Sequence, residues 1–304
     1  MRMGLFQGCL PPTVSMEQCL RLTAELGFEG LEVTMESSDP LPPEAVNETT
    51  QEIFDIGDSV GMTEAREGAL SFESSLAEIK GVANLAADIG TRIHSIATMG
   101  HFFYPLSSPV QSVRDQGLEM ALKMLEAAHT LGADTILLVP GLVTPSVGYR
   151  EVYSRSQRAI LELEEKAQEL DIVIAIENVW NRFLLSPLEM AQYIDELNSP
   201  NVGVYFDVAN ILAYGYPEDW LRILGERIKA VHYKDFRKDI GNILGFTHLL
   251  HGDVNWSAVT GALRDIGYAG YVTVEVPPLR AHPLKGVRDA MSSLHLILRS
   301  TADE

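Results

Sequence analysis

The sequence alternates apolar, strand-like runs with amphipathic, helix-like stretches, and this alternation constrains the fold more than any other feature. The runs are GLFQGC (4–9), GLEVTM (30–35), RIHSIA (92–97), TILLVP (135–140), IVIAIE (172–177), VGVYFD (202–207), IKAVH (228–232) and YVTVE (271–275). Most of the helix-like stretches between them end in Gly or Asp. Eight strands that alternate with helices are typical of a closed parallel barrel, whereas open doubly wound sheets have about five or six strands. We therefore predict a (β/α)8 barrel that residues 1–304 form as a single domain.

One connection departs from this regular spacing. Residues 36–75 contain a proline-rich segment, SSDPLPPEA, and a helix-like piece near residues 47–60. Connections of this length are commonly functional, so we expect a surface helix or a lid. In an alternative interpretation, MTEAREGAL (62–70) contains a further strand, which would change the strand count.

Composition argues against several classes of protein. The net charge of −19 repels a phosphate backbone, and no local basic patch offsets it, so we expect no nucleic-acid partner. No apolar run approaches the roughly 20 residues that span a bilayer, so we expect no membrane partner. The N-terminus lacks the apolar stretch of a secretory signal, and Cys9 and Cys19 are too few for a disulfide framework. These features predict a cytoplasmic protein.

Four of the runs end in a side chain that can bind a metal ion, namely Glu177, Asp207, His232 and Glu275. A buried parallel strand is apolar on both faces, so a carboxylate or imidazole at its end is costly to bury. A helix cap would explain any one of them, but a shared divalent cation explains all four. Because barrel active sites lie at the C-terminal ends of the strands, we expect one polar ring there. Its oxygen and nitrogen ligands suit Mn, Mg or Co better than structural zinc.

The segments around these residues resemble the xylose isomerase-like barrel superfamily, in its sugar and sugar-phosphate isomerase and epimerase branch. The matching segments are IEN (176–178), FDVAN (206–210), VHYKD (231–235), GDVNW (252–256) and VEV (274–276). The resemblance extends over essentially the whole chain. The order Glu, Asp, His, Glu on strands five to eight is fairly specific for the superfamily but poorly specific for substrate.

The resemblance implies a divalent-metal-dependent epimerase or isomerase of a ketose or ketose phosphate. Glu177 and Glu275 would face opposite sides of the substrate C3 atom. One would remove a proton and the other would return it, through an enediolate that the metal stabilises. Asp207 and His232 would hold the metal. The resemblance also implies a small carbohydrate substrate and a homodimer or homotetramer.

Five further residues are candidates for substrate binding. By the same resemblance, Asn210 stands where free-ketose epimerases have a substrate-binding histidine, and an Asn here is similar to the L-xylulose-5-phosphate 3-epimerase branch. Arg237, or the lysine after it, lies about where the family has a substrate-binding arginine. Position alone suggests that Lys234 orients a metal ligand or reaches substrate. Trp180 would lean over the sugar, and His101 begins an aromatic segment, HFFY, that would wall the pocket.

Three residues are weaker candidates. Gln7 and Glu32 lie near the ends of strands one and two. His94 lies inside an apolar run, where a histidine is more often a hydrogen-bonded core residue than a ligand.

Four other functions are compatible with these residues. A lyase or dehydratase would use the same metal and base on a keto-sugar, keto-glycoside or inosose, and would expel a leaving group by β-elimination. Aldose–ketose isomerisation would move a proton between C1 and C2 with similar groups. The apurinic-endonuclease branch normally has extra histidine ligands and a basic face, which this chain does not clearly offer. A metal-binding partner subunit without activity would be favoured if one acid–base glutamate were missing, but both are present.

Overall fold

The eight apolar runs form eight parallel strands that pair in chain order and close on one another. The strands are β1 (Arg2–Phe6), β2 (Gly30–Glu36), β3 (Arg92–Ala97), β4 (Thr135–Leu138), β5 (Val173–Glu177), β6 (Val202–Asp207), β7 (Ile228–Tyr233) and β8 (Tyr271–Val274). Strand β1 pairs with β2 on one side and with β8 on the other, which closes the ring. This computed structural model, which describes residues 1–37, 66–279 and 281–299, confirms the predicted (β/α)8 barrel.

Each barrel strand is followed by a helix of at least eight residues. These helices are α1 (Met16–Glu25), α2 (Leu76–Ile89), α3 (Gln111–Leu131), α4 (Tyr149–Leu170), α5 (Pro187–Leu197), α6 (Pro217–Leu224), α7 (Trp256–Asp265) and α8 (Pro283–Arg299). Ser15 begins α1 and Ser75 begins α2, each with a reciprocal capping box, and Gly90 ends α2 in the left-handed conformation. In the described part of the chain, no helix is both long enough and apolar enough to cross a membrane.

The alternation of side chains along β2 shows how the barrel separates two environments. Leu31, Val33 and Met35 belong to the large apolar core, which also includes residues of the surrounding helices. Glu32 lies between them in sequence and therefore points to the opposite side of the strand, yet it is completely buried. The interior of the barrel thus contains charged and polar side chains close to the strand ends where the predicted site lies.

The connection after β2 is described only in part. A two-residue strand, Leu70–Ser71, pairs with Met35 and Glu36 at the end of β2, outside the ring of eight. As the alternative interpretation suggested, a short strand begins at the last residue of the segment 62–70. It lies outside the ring, so the barrel still has eight strands. The helix-like piece predicted near residues 47–60 lies outside the described residues.

Candidate metal centre

The side chains at the ends of β5, β6, β7 and β8 meet at the C-terminal mouth of the barrel. One ligand atom from each of Glu177, Asp207, His232 and Glu275 lies within 4.8 Å of the other three. The Nδ1 atom of His232 is 3.2 Å from Oε2 of Glu275, 3.9 Å from Oε1 of Glu177 and 4.0 Å from Oδ2 of Asp207. Parallel pairing aligns these strand ends, since Asp207 lies opposite His232 in the β6–β7 register. The structure thus brings together all four residues that the sequence predicted as ligands.

The geometry of the cluster fits a divalent cation. Asp207 is 0% and His232 2% exposed, and within the described residues Nδ1 of His232 has no hydrogen-bond partner, while Oδ2 of Asp207 has only an ion pair with Lys234. Buried polar atoms are almost always satisfied by a protein, solvent or metal partner. Metal–ligand bonds of about 2.0–2.6 Å place two ligands of one ion roughly 3–5 Å apart, and the ligand atoms here lie from 3.2 Å to at most 4.8 Å apart. These residues can therefore hold a divalent metal ion.

Lys234 contacts the same carboxylate oxygens that point toward His232. Its Nζ atom lies 2.9 Å from Oδ2 of Asp207 and 2.9 Å from Oε2 of Glu275, and it sits 4.7 Å from the centre of the Phe246 ring. The side chain of Lys234 is 12% exposed. Its positive charge reduces the repulsion among the carboxylates of Glu177, Asp207 and Glu275, so Lys234 contributes to the electrostatic balance of the cluster.

Burial and neighbouring charges shift the pKa values of the carboxyl groups in different directions. Burial, reinforced by the negative Glu275 and Glu177 and opposed by Lys234, raises the pKa of Asp207 to about 7. Burial likewise raises the pKa of Glu177. Burial acts in the same direction on Glu275, but Lys234 and His232 outweigh it and hold the pKa of Glu275 below its usual range. Two glutamates with different proton affinities are a common arrangement for acid–base chemistry.

Glu32 is the partner of His232 on the side away from the cluster. The Nε2 atom of His232 lies 2.6 Å from Oε1 of Glu32, which is 0% exposed. Burial alone would raise the pKa of Glu32, but the adjacent His232 outweighs it and lowers the pKa. The sequence indicated Glu32 only as a weak candidate near a strand end. The stronger signal was an acidic residue in the middle of the apolar run GLEVTM.

A family model described as a xylose isomerase-like TIM barrel matches residues 20–297. The chain belongs to this family. It is 25% identical over 277 residues to L-ribulose-5-phosphate 3-epimerase UlaE of Salmonella paratyphi C (strain RKS4594), covering 90% of this chain and 86% of that relative. A D-psicose 3-epimerase structure determined in the presence of D-fructose has a TM-score of 0.72 at 19% identity, covering 99% of this chain and all of that one. The apo structure of the 3-keto-D-glucoside 4-epimerase YcjR from E. coli has a TM-score of 0.71 at 16% identity, covering 97% and 99%.

Membership in the xylose isomerase-like family confirms the resemblance that the sequence motifs indicated. The two solved structures support the barrel fold along nearly the full chain. The relative and both structural neighbours are named as sugar epimerases, which are isomerases, the class predicted for this chain.

Residues next to the ligands brace β5 and β6 of this xylose isomerase-like barrel against each other. Asn178 donates from Nδ2 to the carbonyl of Asp207 at 2.7 Å and accepts from its backbone N–H at 2.8 Å. The Nδ2 group of Asn210 donates to the carbonyl of Asn178 at 2.9 Å, and Nε1 of Trp180 donates to the carbonyl of Asn210 at 2.8 Å. Asn210 and Trp180 therefore hold the backbone around two ligands, while their predicted contact with substrate stays a prediction.

Arg237 and His101 lie in different surroundings. Arg237 is half exposed, and its guanidinium group binds the carboxylate of Asp239 at 2.7 Å. His101 is completely buried in the short helix Gly100–Phe103, where burial lowers its pKa to about 4 although the Gly117 carbonyl opposes this shift. Within the described residues, neither side chain hydrogen-bonds to the four ligands. Their roles in substrate binding stay predictions.

Glu36, at the end of β2, is a further carboxyl group on this face of the barrel. Its Oε1 atom accepts a hydrogen bond from the backbone N–H of Met99 at 3.0 Å, and its Oε2 atom accepts one from Oγ1 of Thr98 at 3.2 Å. Burial nevertheless raises the pKa of Glu36 to about 7. Ionised Glu36 is therefore unfavourable in the folded protein.

Glu36→Gln is expected to raise the free energy of unfolding at pH 8 and to have little effect at pH 4.5. A carboxyl group whose pKa is higher in the folded state stabilises the fold while it is protonated, and this contribution is lost as the pH rises from about 4.5 to about 7. Gln mimics the protonated form at every pH, so the gain should reach up to about 3 kcal/mol above pH 7. Urea unfolding of both proteins between pH 4.5 and 8 measures it. A difference that does not depend on pH would contradict this assignment.

Proposed function

We propose that this protein is a divalent-metal-dependent 3-epimerase of a ketose or ketose phosphate, with Mn, Mg or Co as its ion. The main support is the convergence of Glu177 and Glu275 with Asp207 and His232 within 4.8 Å at the mouth of the barrel. Two carboxylates beside one metal site supply the two proton carriers that inversion at a carbon atom requires. The name of the curated relative, an L-ribulose-5-phosphate 3-epimerase, supports the same reaction class.

The positions of the two glutamates suit proton transfer on both faces of a sugar. Glu177 ends β5, whereas Glu275 follows β8, so the two carboxyl groups enter the mouth from different sides of the ring. In our proposal one carboxylate removes the C3 proton from one face and the other carboxyl group delivers a proton to the opposite face. The direction of turnover decides which glutamate acts as base.

The remaining residues of the site hold these groups in place. A divalent ion supplies positive charge that stabilises the negative charge developing on the substrate oxygens when C3 loses its proton. Asp207 and His232 would bind that ion without moving protons. Asn178 fixes Asp207 through two hydrogen bonds to its backbone, and Lys234 limits the repulsion between Asp207 and Glu275.

Incubation of the purified protein with Mn²⁺ and L-ribulose 5-phosphate in D2O is expected to give the C3 epimer with solvent deuterium at C3. Proton NMR and mass spectrometry follow the label. Parallel reactions with L-ribulose and other free ketoses show whether the enzyme requires a phosphorylated substrate. An unsaturated or cleaved product would contradict the proposal in favour of β-elimination, and deuterium at C1 or C2 would favour aldose–ketose isomerisation. A sample with excess EDTA is the control for metal dependence.

A further inference from the structure

A connected group of buried polar side chains extends from His232 into the interior of the barrel. One carboxylate oxygen of Glu32 contacts Nε2 of His232, and the other accepts hydrogen bonds from the hydroxyl groups of Ser95 and Tyr205. These four residues belong to β7, β2, β3 and β6, and each is at most 2% exposed. Every neighbour of the Glu32 carboxylate in this group can donate a hydrogen bond to it, and each comes from a different strand.

The group continues through His94 to β8. The Nδ1 atom of His94 lies 3.0 Å from Oγ of Ser95, and its Nε2 atom lies 3.3 Å from Oγ1 of Thr273. Two glycines make room for the ring. A Cβ atom at Gly4 would lie 2.8 Å from Nε2 of His94, and one at Gly30 would lie 3.0 Å from Cδ2 of His94. As the sequence predicted, His94 is a hydrogen-bonded core residue.

The donor and acceptor capacity of each group fixes the direction of these hydrogen bonds. Ser95 has one hydroxyl proton, which it donates to Glu32, so its oxygen must accept from an N–H at Nδ1 of His94. Burial lowers the pKa of His94 to about 4, which agrees with a neutral ring whose Nε2 accepts from Thr273. All the protons of this group thus point toward Glu32. Because Glu32 only accepts hydrogen bonds in this arrangement, its remaining oxygen accepts one from the N–H at Nε2 of His232.

We infer that Glu32 is a positioning residue that fixes the tautomer and orientation of His232 for metal binding through Nδ1. Burial would lower the pKa of His232, but Glu32 and the other negative neighbours outweigh it and raise that pKa. Metal binding through Nδ1 would require this nitrogen to give up its proton while Nε2 keeps one, and a proton that stayed on Nδ1 would block coordination. Glu32 holds the proton on Nε2, while Ser95 and Tyr205 keep its carboxylate from turning away. The Nδ1 lone pair then points at the cluster of Glu177, Asp207 and Glu275. This inference rests on the metal-dependent function proposed above.

Glu32→Gln should weaken Mn²⁺ binding about 10- to 100-fold, the usual effect of removing a hydrogen-bond partner of a ligating histidine. Isothermal titration calorimetry on EDTA-treated, dialysed protein measures the affinity, and circular dichroism checks folding. Glu29→Gln is the matched control, because Glu29 is an exposed glutamate just before β2 that binds the backbone N–H of Met3 at 2.7 Å. The control should bind Mn²⁺ within twofold of the unmodified protein. Equal affinity for Glu32→Gln and Glu29→Gln would overturn the inference.

Histidine NMR separates orientation of the ring from a general structural role. In ¹⁵N-histidine-labelled protein saturated with Mg²⁺, His232 should carry its proton on Nε2, with a strongly downfield signal that His232→Asn removes. In Glu32→Gln this signal should move upfield and exchange faster with water. An unchanged signal would overturn the inference whether or not the protein epimerises any sugar, so its failure is distinct from that of the proposed function. If Glu32→Gln does not fold, Tyr205→Phe applies the same test, and unchanged Mn²⁺ affinity there would overturn it.

Discussion

Replacement of Glu275 by Gln is expected to lower the rate of epimerisation roughly 10²- to 10⁴-fold, the usual contribution of a general acid or base. Gln keeps the shape of the side chain but accepts no proton, so one face of C3 loses its proton carrier. Because Glu177 remains, the variant should still exchange the C3 proton of one epimer with D2O without converting that epimer. Proton NMR of samples taken at saturating Mn²⁺ and quenched with excess EDTA, after removal of the Mn²⁺, measures conversion and exchange together.

Glu177→Gln is the matched variant for this experiment. It should lose epimerisation to a similar degree, but the exchange that survives should belong to the opposite epimer. Both glutamates are also proposed ligands, so each variant must be assayed over increasing Mn²⁺ until its rate no longer changes. Unchanged turnover in either variant, or exchange of both epimers by both variants, would refute the two-glutamate mechanism.

The barrel and the four converging ligands could be predicted because both follow from local patterns. Each apolar run bounded by helix-like stretches specifies one strand, and parallel strands in chain order bring all their C-terminal ends to one face. A carboxylate or imidazole at the end of such a run must therefore lie at that face. The run VGVYFD illustrates this, since all six residues are buried and Asp207 is its last.

The partners of the ligands could not be predicted because they depend on distances across the closed ring. Glu32 and His232 are 200 positions apart in sequence, and only closure of the barrel brings β2 and β7 together across its interior. The alternation of β2 places Glu32 inside the barrel, but it does not specify which histidine it meets. At the surface, the guanidinium group of Arg237 binds the nearby Asp239, and its contact with substrate stays a prediction.

Addition of Mn²⁺ to EDTA-treated protein is expected to restore turnover and to raise the melting temperature by several degrees. An ion at 100 times its Kd stabilises the folded state by about 2.7 kcal/mol, and this corresponds to roughly 5 °C in a protein of this size. The ion would offset the mutual repulsion of the Glu177, Asp207 and Glu275 carboxylates, of which Asp207 is completely buried. Differential scanning calorimetry with and without Mn²⁺ measures the shift.

Asp207→Asn should remove most of the stabilisation by Mn²⁺ without lowering the stability of the metal-free protein. The raised pKa of Asp207, about 7, comes from burial and from the negative charges of Glu275 and Glu177, so its carboxylate is unfavourable in the metal-free fold at pH 8. Asn removes that charge but also removes a strong ligand. The metal-free variant should therefore melt no lower than the unmodified protein, yet Mn²⁺ should stabilise it far less. Asp239→Asn, which alters only an exposed pair with Arg237, should keep the full shift. If Asp207→Asn shows the same Mn²⁺-induced rise in melting temperature as Asp239→Asn, Asp207 does not bind the ion.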